Sequence, residues 1–468
     1  MPDSTPRRRR HQIETLRAQF AQADGPGFQD VLPADRIDRA LREEGAAWRH
    51  KVYTPAVTLW AFLTQGANPD GSCRAAAARA LAWLVAQGRR VARPTAGAYG
   101  KARARLPEAL PGRLAREAGR DLHRQAEAAW LWQGRRVKVA DGTTVPMPDA
   151  AANQRAYPQP DAQKPGLGFP IARAAVVFCL ATGAALAAAL GRYRGQRTGE
   201  PALPRELADG FAAGDVVLAD RSFGGFYELA LWRARGVDAV VRLRQARRAD
   251  FRTGRRLGPK DHVVAWARTG RPAWVDGAAC AALPRTLAVR EVEVRVAQPG
   301  FRTRRLVVAT TLLDAAACPA AALAALYRAR WHAELDLRSL KVTLGLDVLR
   351  CRTPAMVRKE FWMRLLACNL IRAVMARAAR ELACPPRELS FTGALQAVRA
   401  FGERLLDAGA ATAEELHAWL LVVVGCHRVG DRPDRVEPRA RKRRPKHGAI
   451  LTKPRQQARA ELLNGVRA

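Results

Sequence analysis

The spacing of apolar residues divides the chain into a helical beginning, a mixed middle and a helical end. Residues 1–134 contain Ala- and Leu-rich segments with helical spacing and no β-branched runs, such as 54–65 and 74–87. From Arg135 onwards short apolar runs alternate with helical segments, in the order strand, strand pair, helix, strand, helix. That order predicts an α/β layer over residues 135–236.

Two of the predicted strands lead to aspartates. A strand containing Val137 and Val139 is predicted to end at Asp141, and a short apolar strand at 216–218 leads to Asp220. Open α/β sheets place their chemistry beyond the carboxyl ends of strands. Each aspartate alone is equally typical of a turn, because Asp-Gly is a hairpin signal and aspartate often begins a loop.

Residues 237–318 are predicted to be β-rich, and the alternation of apolar and charged residues over 291–296 predicts a sheet with one solvated face. Because a stretch of this length is too long for a loop, it is interpreted as an insertion within the α/β domain. The remainder is predicted to be helical. The predicted organisation is a basic, helical, DNA-binding region at 1–134, the first part of the core at 135–236, the insertion at 237–318, a core helix at 319–348, and a helical region with a basic tail at 349–468.

The core helix contains a polar stripe. At about 100° per residue, Tyr327, Arg330, Glu334 and Lys341 fall within roughly 60° of one helix face, whereas Asp336 points to nearly the opposite side. A carboxylate beside two cations and a tyrosine is typical of a site that handles phosphate and metal. An ordinary i, i+4 ion pair on a solvated face is the alternative.

In the composition, the net charge is what indicates a class of partner: Lys+Arg 79 against Asp+Glu 43 give a net charge of +36. Nucleic acid is the polyanion that such a balance favours, although an Arg-rich proteome would inflate the number. The eight cysteines show no CxxC and no Cys/His cluster, which fits a reducing compartment and argues against a zinc site. With neither a signal peptide nor an apolar run of about 18 residues, we expect a cytoplasmic protein without a membrane partner.

Several sequence blocks together resemble the DDE transposases of bacterial insertion sequences, specifically the insertion sequence 4 family. The family's signature, Y-x2-R-x3-E-x6-K, is matched at every spacing by the four residues of the polar stripe. Further matching blocks are ADGTTVPMPD (140–149), NQRAYPQPDAQKPGLGFPIAR (153–173) and DVVLADRSF (215–223). The resemblance extends over nearly the whole chain.

The resemblance implies a ribonuclease-H-like α/β core, split by the β-rich insertion and flanked by helical regions. In such a core Asp141, Asp220 and Glu334 would hold two catalytic Mg²⁺ ions, for which Mn²⁺ can substitute. The implied reaction is cut-and-paste transposition on double-stranded DNA, by phosphodiester hydrolysis and strand transfer, with a homodimer pairing the transposon's inverted-repeat ends and joining them to target DNA. Two alternatives stay open: a nuclease with the same core that does not join strands, and a catalytically silent DNA-binding derivative.

The resemblance also implies DNA contacts. Tyr327, Arg330 and Lys341 would contact phosphates near the transposon end. An aromatic side chain of the insertion, Trp266 or Trp274, would fill the gap left by a flipped base. For either tryptophan alone, a half-buried place in the sheet is the alternative.

Overall fold

The computed structural model describes residues 32–45, 52–86, 88, 95–193, 207, 210–295, 305–407, 410–430 and 452–465. The basic runs at 7–10 and 435–446, on which part of the DNA-binding prediction depends, lie outside the described residues. Most of the helix predicted over 201–213 lies outside them as well.

The described part of the N-terminal region consists mainly of helices. Its helices are α1 (Ala34–Glu43), α2 (Pro55–Ala67), α3 (Cys73–Ala86), α4 (Ala96–Arg105) and α5 (Ala109–Arg124). Threonines begin two of them: Thr54 accepts a hydrogen bond from the Val57 amide, and Thr95 accepts one from the Ala98 amide.

One of the basic residues on which the N-terminal DNA-binding prediction rested faces the packed interior of this region. The Arg103 guanidinium donates to Oε1 of Gln65 at 3.0 Å and lies 4.8 Å from the centre of the Phe62 ring. Lys101 and Arg105, on either side of it, are exposed. Of these three described basic residues, Lys101 and Arg105 are therefore the two on the surface.

The centre of the fold is a mixed sheet in the strand order β3-β2-β1-β4-β5-β9-β8-β7-β6. Neighbours β1, β4 and β5 are parallel, and the other pairs are antiparallel. The strands are β1 (Val137–Pro146), β2 (Ile171–Cys179), β3 (Ala185–Arg192), β4 (Val216–Ala219), β5 (Asp238–Arg242), β6 (Arg255–Gly258), β7 (Asp261–Ala267), β8 (Thr286–Arg295) and β9 (Arg305–Thr310).

Strands from both predicted parts of the middle region, 135–236 and 237–318, belong to this one sheet. Strand β5 lies parallel to β4, and β9 then pairs antiparallel with β5, so residues after 237 extend the sheet that begins with β1. The predicted solvated face is only partly present, because Glu291 is buried. Its carboxylate accepts a hydrogen bond from Nε1 of Trp266 at 2.8 Å and lies 3.2 Å from Nε2 of His262. These contacts replace the hydrogen bonds to water that the carboxylate loses on burial.

Helices cover the sheet and form the C-terminal region. The long helix α11 is buried along most of its length and packs against α2, α5 and β3. None of the helices in the described part of the chain is long and apolar enough to cross a membrane. These helices are α6 (Ala151–Ala156), α7 (Phe226–Ala234), α8 (Gly277–Ala282), α9 (Ala320–Ala329), α10 (Trp331–Arg338), α11 (Pro354–Glu381), α12 (Phe391–Asp407), α13 (Ala410–Cys426) and α14 (Arg455–Gly465).

The predicted core helix is interrupted, which corrects the expectation of one continuous helix. At Arg330 the backbone amide donates to Tyr327, three residues back, and this tight turn separates α9 from α10. After α10 the chain widens into a π-helical turn, Ser339–Thr343. Departures of this kind from the α-helical period often mark functional sites, and here both coincide with residues of the signature, Arg330 and Lys341.

Candidate active site

The two strand-borne aspartates lie side by side. Parallel pairing of β1 with β4 ends at Ala140 and Ala219, so Asp141 and Asp220 are the next residues on neighbouring strands. The prediction that the strand ends at Asp141 is wrong, because β1 continues to Pro146 while paired with β2. From Asp141 onwards β1 therefore has one unpaired edge, which faces the side where β4 has already ended.

Helix α10 packs against β1 and closes a cleft of about 490 Å³ over this point. The cleft brings the three predicted carboxylates together with three cations, and apolar side chains complete its wall. It is lined by Asp141, Gly142, Asp220, Arg330, Glu334, Leu337, Arg338, Lys341 and Val342. Three of the four residues predicted to share one helix face, Arg330, Glu334 and Lys341, therefore line one cleft despite the interrupted helix.

Arg330 lies between two of the carboxylates. Its Nη2 atom donates to Oε1 of Glu334 at 2.7 Å, and its Nη1 atom lies 3.5 Å from Oδ2 of Asp141. Burial alone would lower the pKa of Arg330, but the hydrogen bond to Glu334 and the nearby negative charges raise it overall. This arginine is therefore a fixed positive charge at the centre of an acidic group.

The same environment disfavours a negative charge on Asp141. Burial raises the pKa of Asp141, and the carboxylates of Glu334 and Asp220 raise it further. The Gly142 amide, which donates to its Oδ1 atom at 2.8 Å, and the Arg330 guanidinium oppose this rise without cancelling it. Carboxylates held close enough to repel one another gain most from an added cation.

The remaining members of the signature differ in exposure. Tyr327 is only 8 % exposed and does not line the cleft; burial raises its pKa to about 12. Lys341 lines the cleft from the π-helical turn after α10.

Arg338 also lines the cleft and was missed by the sequence analysis. It follows Glu334 by four residues, so the same helical spacing would have placed it on this face.

The two tryptophans predicted to assist base flipping are not presented to the cleft. Trp266 is 1 % exposed, with its indole N–H bonded to Glu291 and the Arg247 guanidinium 4.1 Å from its ring centre. A fully buried and hydrogen-bonded indole cannot contact DNA in this conformation, so the prediction for Trp266 is wrong here. Trp274 is partly buried against the core. The sequence analysis overlooked Trp331, which follows Arg330 directly and is 44 % exposed.

A sequence model of the family described as Transposase DDE domain matches residues 132–370, which is just over half of the chain. The chain belongs to the DDE transposase family. It is 27 % identical over 349 residues to the transposase InsG for insertion sequence element IS4 of Escherichia coli (strain K12), covering 71 % of this chain and 75 % of that protein. This transposase is therefore similar to the insertion sequence 4 group, as the blocks around its acidic residues indicated.

Among solved structures, the chain is similar to a piggyBac transposase synaptic complex with hairpin DNA. The match covers 87 % of this transposase and 85 % of that chain, with 10 % sequence identity and a TM-score of 0.40.

Proposed function

We propose that this transposase carries out cut-and-paste transposition, with Asp141, Asp220 and Glu334 as the ligands of two Mg²⁺ ions. The observation that carries the proposal is that three carboxylates from β1, from the end of β4 and from α10 line one cleft. Carboxylate oxygens are the ligands that Mg²⁺ prefers, and Mn²⁺ accepts the same donors. When bound, two such ions polarise the scissile phosphate and stabilise the attacking and leaving oxygens.

The donor set fits these ions in kind. In the part of the chain that the structure describes, no three His, Cys, Asp or Glu side chains are close enough to hold a metal ion as they stand. Arg330 pairs with both Asp141 and Glu334. We propose that Arg330 releases Glu334 when the site is loaded and then contacts DNA phosphate together with Lys341. Tyr327, which is 8 % exposed and outside the cleft lining, would contact phosphate only after the site rearranges.

The strand order supports a ribonuclease-H-like core made of β1 to β5, with three antiparallel strands followed by two parallel ones. In this proposal the core extends to Arg242 and the β-rich insertion begins after β5, a few residues later than the predicted boundary at 237. The flanking helical regions and the net charge of +36 provide the surface for double-stranded DNA. In a bacterial cell that DNA lies in the cytoplasm, where we expect the protein to act.

For the aromatic that stacks on a displaced base, we propose Trp331 rather than Trp266. Its side chain is exposed on α10 beside Arg330, whereas Trp266 is buried in the sheet. Stacking on an aromatic contributes about 1–3 kcal/mol per base. Trp331→Ala should therefore weaken binding to a nicked end more than binding to an intact duplex, and equal weakening would contradict this assignment.

The decisive test uses labelled duplexes taken from either side of the coding region, a target plasmid and Mg²⁺. The wild-type chain should cut the duplexes and join them to the plasmid, while Asp141→Asn, Asp220→Asn and Glu334→Gln should each lower cleavage by on the order of 10³-fold. Asp149→Asn is the matched control, because Asp149 is exposed and lies outside the cleft lining on the same hairpin. Cleavage without joining would indicate the nuclease, and binding without cleavage the silent derivative.

We further propose that the active species is a homodimer that pairs two DNA ends through the C-terminal region. On α13 the side chains of Trp419 and Val422 are exposed, at 56 % and 48 %, although both are apolar. Light scattering with and without end DNA should show two chains per complex. Trp419→Ser combined with Val422→Ser should shift that complex towards one chain, and an unchanged mass would contradict this interface.

A further inference from the structure

The buried face of α10 contains an ion cluster that the proposed reaction does not use. Asp336 is two residues beyond Glu334, so their side chains leave the helix about 200° apart. Asp336 is fully buried, and its Oδ1 atom accepts hydrogen bonds from Nη2 of Arg372 at 2.6 Å and from Nη1 of Arg387 at 2.7 Å. We refer to Asp336, Arg372 and Arg387 as the Asp336 clamp.

The clamp connects α10 to the end of a central strand. Arg387 uses its other nitrogens to donate to the carbonyls of Leu180, at 2.7 Å, and Cys179, at 2.9 Å. Cys179 is the last residue of β2, the strand that pairs with β1 opposite Asp141. A guanidinium with both its carboxylate and its carbonyl contacts fixed has little freedom to shift.

The second arginine connects α10 to the C-terminal helices. Arg372 lies in α11, and its guanidinium carbon is 4.9 Å from the centre of the Phe391 ring, at the first residue of α12. Asp336 is therefore held from two directions, by the sheet through Arg387 and by the C-terminal helices through Arg372.

The backbone of the β2–β3 turn is shaped around the same two arginines. Gly183 has φ +78°, a conformation that favours glycine. A Cβ atom at this position would lie 2.7 Å from the Arg372 guanidinium carbon and 3.0 Å from Nη1 of Arg387. The turn thus leaves space for both guanidiniums, which makes the clamp a part of the fold rather than a chance contact.

We propose that the Asp336 clamp is a positioning device that fixes the rotation of α10, so that Glu334 faces Asp141 and Asp220. Stability alone is a weak reason for such a cluster, since well-packed apolar side chains usually replace a buried ion pair without loss. A ligating carboxylate, in contrast, must be held within about 0.5 Å and 10–20° of its working geometry. The inference rests on the proposed metal-binding role of Glu334.

The test compares Asp336→Asn with Asp261→Asn in the full-length chain. Asp261 is the matched control, because its carboxylate forms an equally buried pair with Arg290, at 2.8 and 2.5 Å, on β7 and β8 away from the cleft lining. Both changes should lower the melting temperature. Only Asp336→Asn should weaken Mn²⁺ binding, measured by electron paramagnetic resonance, by on the order of 10-fold, the loss typical of a partner that orients a ligand.

A second readout follows the helix without metal. In protein labelled with fluorotryptophan, the ¹⁹F resonance of Trp331 on α10, assigned with Trp331→Phe, should shift or broaden in Asp336→Asn and stay unchanged in Asp261→Asn. If Asp336→Asn does not fold, Arg387→Lys keeps the charge but loses the planar contacts to β2, and it should reproduce both effects more weakly.

The proposal is overturned if the Trp331 resonance is unchanged in the clamp variants, or if Asp261→Asn has the same effects. Wild-type Mn²⁺ affinity in Asp336→Asn would also overturn it. Failure of the proposed metal site is a different result: the wild-type chain would then bind Mn²⁺ no better than Asp141→Asn. In that case the ¹⁹F resonance would still decide whether the clamp sets the position of α10.

Discussion

The two faces of α10 carry the same chemistry in two different surroundings. On the cleft face, Arg330 and Glu334 are paired at 2.7 Å with side chains 18 % and 39 % exposed. On the opposite face, Arg372 and Asp336 are paired at 2.6 Å with side chains 5 % and 0 % exposed. The distances are nearly equal, so solvent access, not geometry, separates the two pairs.

The difference in solvent access determines how easily each of the two ion pairs can rearrange. Water reaches the part-buried Arg330–Glu334 pair, so this pair can exchange its partners at a smaller cost than a fully buried pair. A buried pair cannot lose one member without leaving an uncompensated charge, so the Asp336 clamp keeps its arrangement. The helix can thus be held firmly on one face while the side chains on the other face rearrange.

The largest expected effect is the difference in stability between a variant that lacks the buried carboxylate of α10 and one that lacks its cleft carboxylate. Asp336→Ala should lower the free energy of unfolding by about 3–5 kcal/mol, because two buried guanidiniums lose their counter-ion. Glu334→Ala should change it by less than about 1 kcal/mol. Urea unfolding followed by circular dichroism and by tryptophan fluorescence measures both, and equal losses would remove the distinction between the faces.

The next effect tests the space that the clamp requires. Gly183→Ala should cost at least about 2 kcal/mol, because it combines a strained positive φ with a close approach to Arg372. Gly134→Ala is the matched control: φ there is +71°, but a Cβ atom would meet nothing within 4 Å, so about 1 kcal/mol of strain is expected alone. Equal losses in the same unfolding assay would show that the β2–β3 turn does not depend on the arginines.

The cleft face was largely predictable from local spacing. Intervals of four and seven residues placed Arg330, Glu334 and Lys341 together, and the tight turn at Arg330 and the π-helical turn at Ser339–Thr343 leave all three in the lining of one cleft. The exact place of Asp141 was not predictable in the same way. Its Asp-Gly pair is a turn signal, and only pairing with the distant strand β2 keeps β1 extended beyond it.

The buried face was predictable only in part. Helical spacing placed Asp336 away from Glu334, but its partners follow 36 and 51 residues later, and nothing local connects them. Trp266 shows the same limit, because its burial depends on a hydrogen bond to Glu291 across the sheet. Periodicity reports which side of an element a residue occupies, whereas tertiary contacts decide whether that side meets water.

A smaller effect would sharpen the role of the Arg330–Glu334 pair. Arg330→Gln should raise Mn²⁺ affinity severalfold, because about 1 kcal/mol of repulsion between a metal ion and a nearby cation is removed. The stability of the chain should change by less than about 1 kcal/mol. Titration by electron paramagnetic resonance measures the affinity, with Arg338→Gln as the control for a cleft cation that lies about two turns further along the chain. Weaker binding in Arg330→Gln would mean that Arg330 holds the carboxylates in place instead of competing with metal.

The smallest effect concerns a third ion cluster, which is buried and contains a histidine. Asp215 pairs with Lys138 at 2.6 Å, and Nε2 of His123 lies 3.7 Å from the Asp215 carboxylate, too far for a hydrogen bond but close enough for charge attraction. Burial alone would lower the pKa of His123, but the interactions with Asp215 and Cys179 outweigh it and raise the pKa above its ordinary value of 6.5.

A raised pKa fixes the sign of the contribution of His123. This contribution to stability is fully present below pH 6.5 and is lost as the pH rises through the folded-state pKa. Asp215 matters only in acid: burial would raise its pKa, yet His123 and Lys138 lower it below 3.8, so its contribution is lost as the pH falls through that lower value. His332 acts against His123 between pH 6 and pH 8.5: burial lowers its folded-state pKa to about 4, so below pH 6.5 only the unfolded chain binds this proton, and the resulting loss of stability disappears as the pH rises. His123→Gln should therefore make the urea midpoint rise more, or fall less, from pH 6 to pH 8.5, while Glu334→Gln leaves this change as in the wild type. A change that Glu334→Gln alters and His123→Gln does not would show that the cleft pair, rather than buried charge, controls the pH dependence of stability.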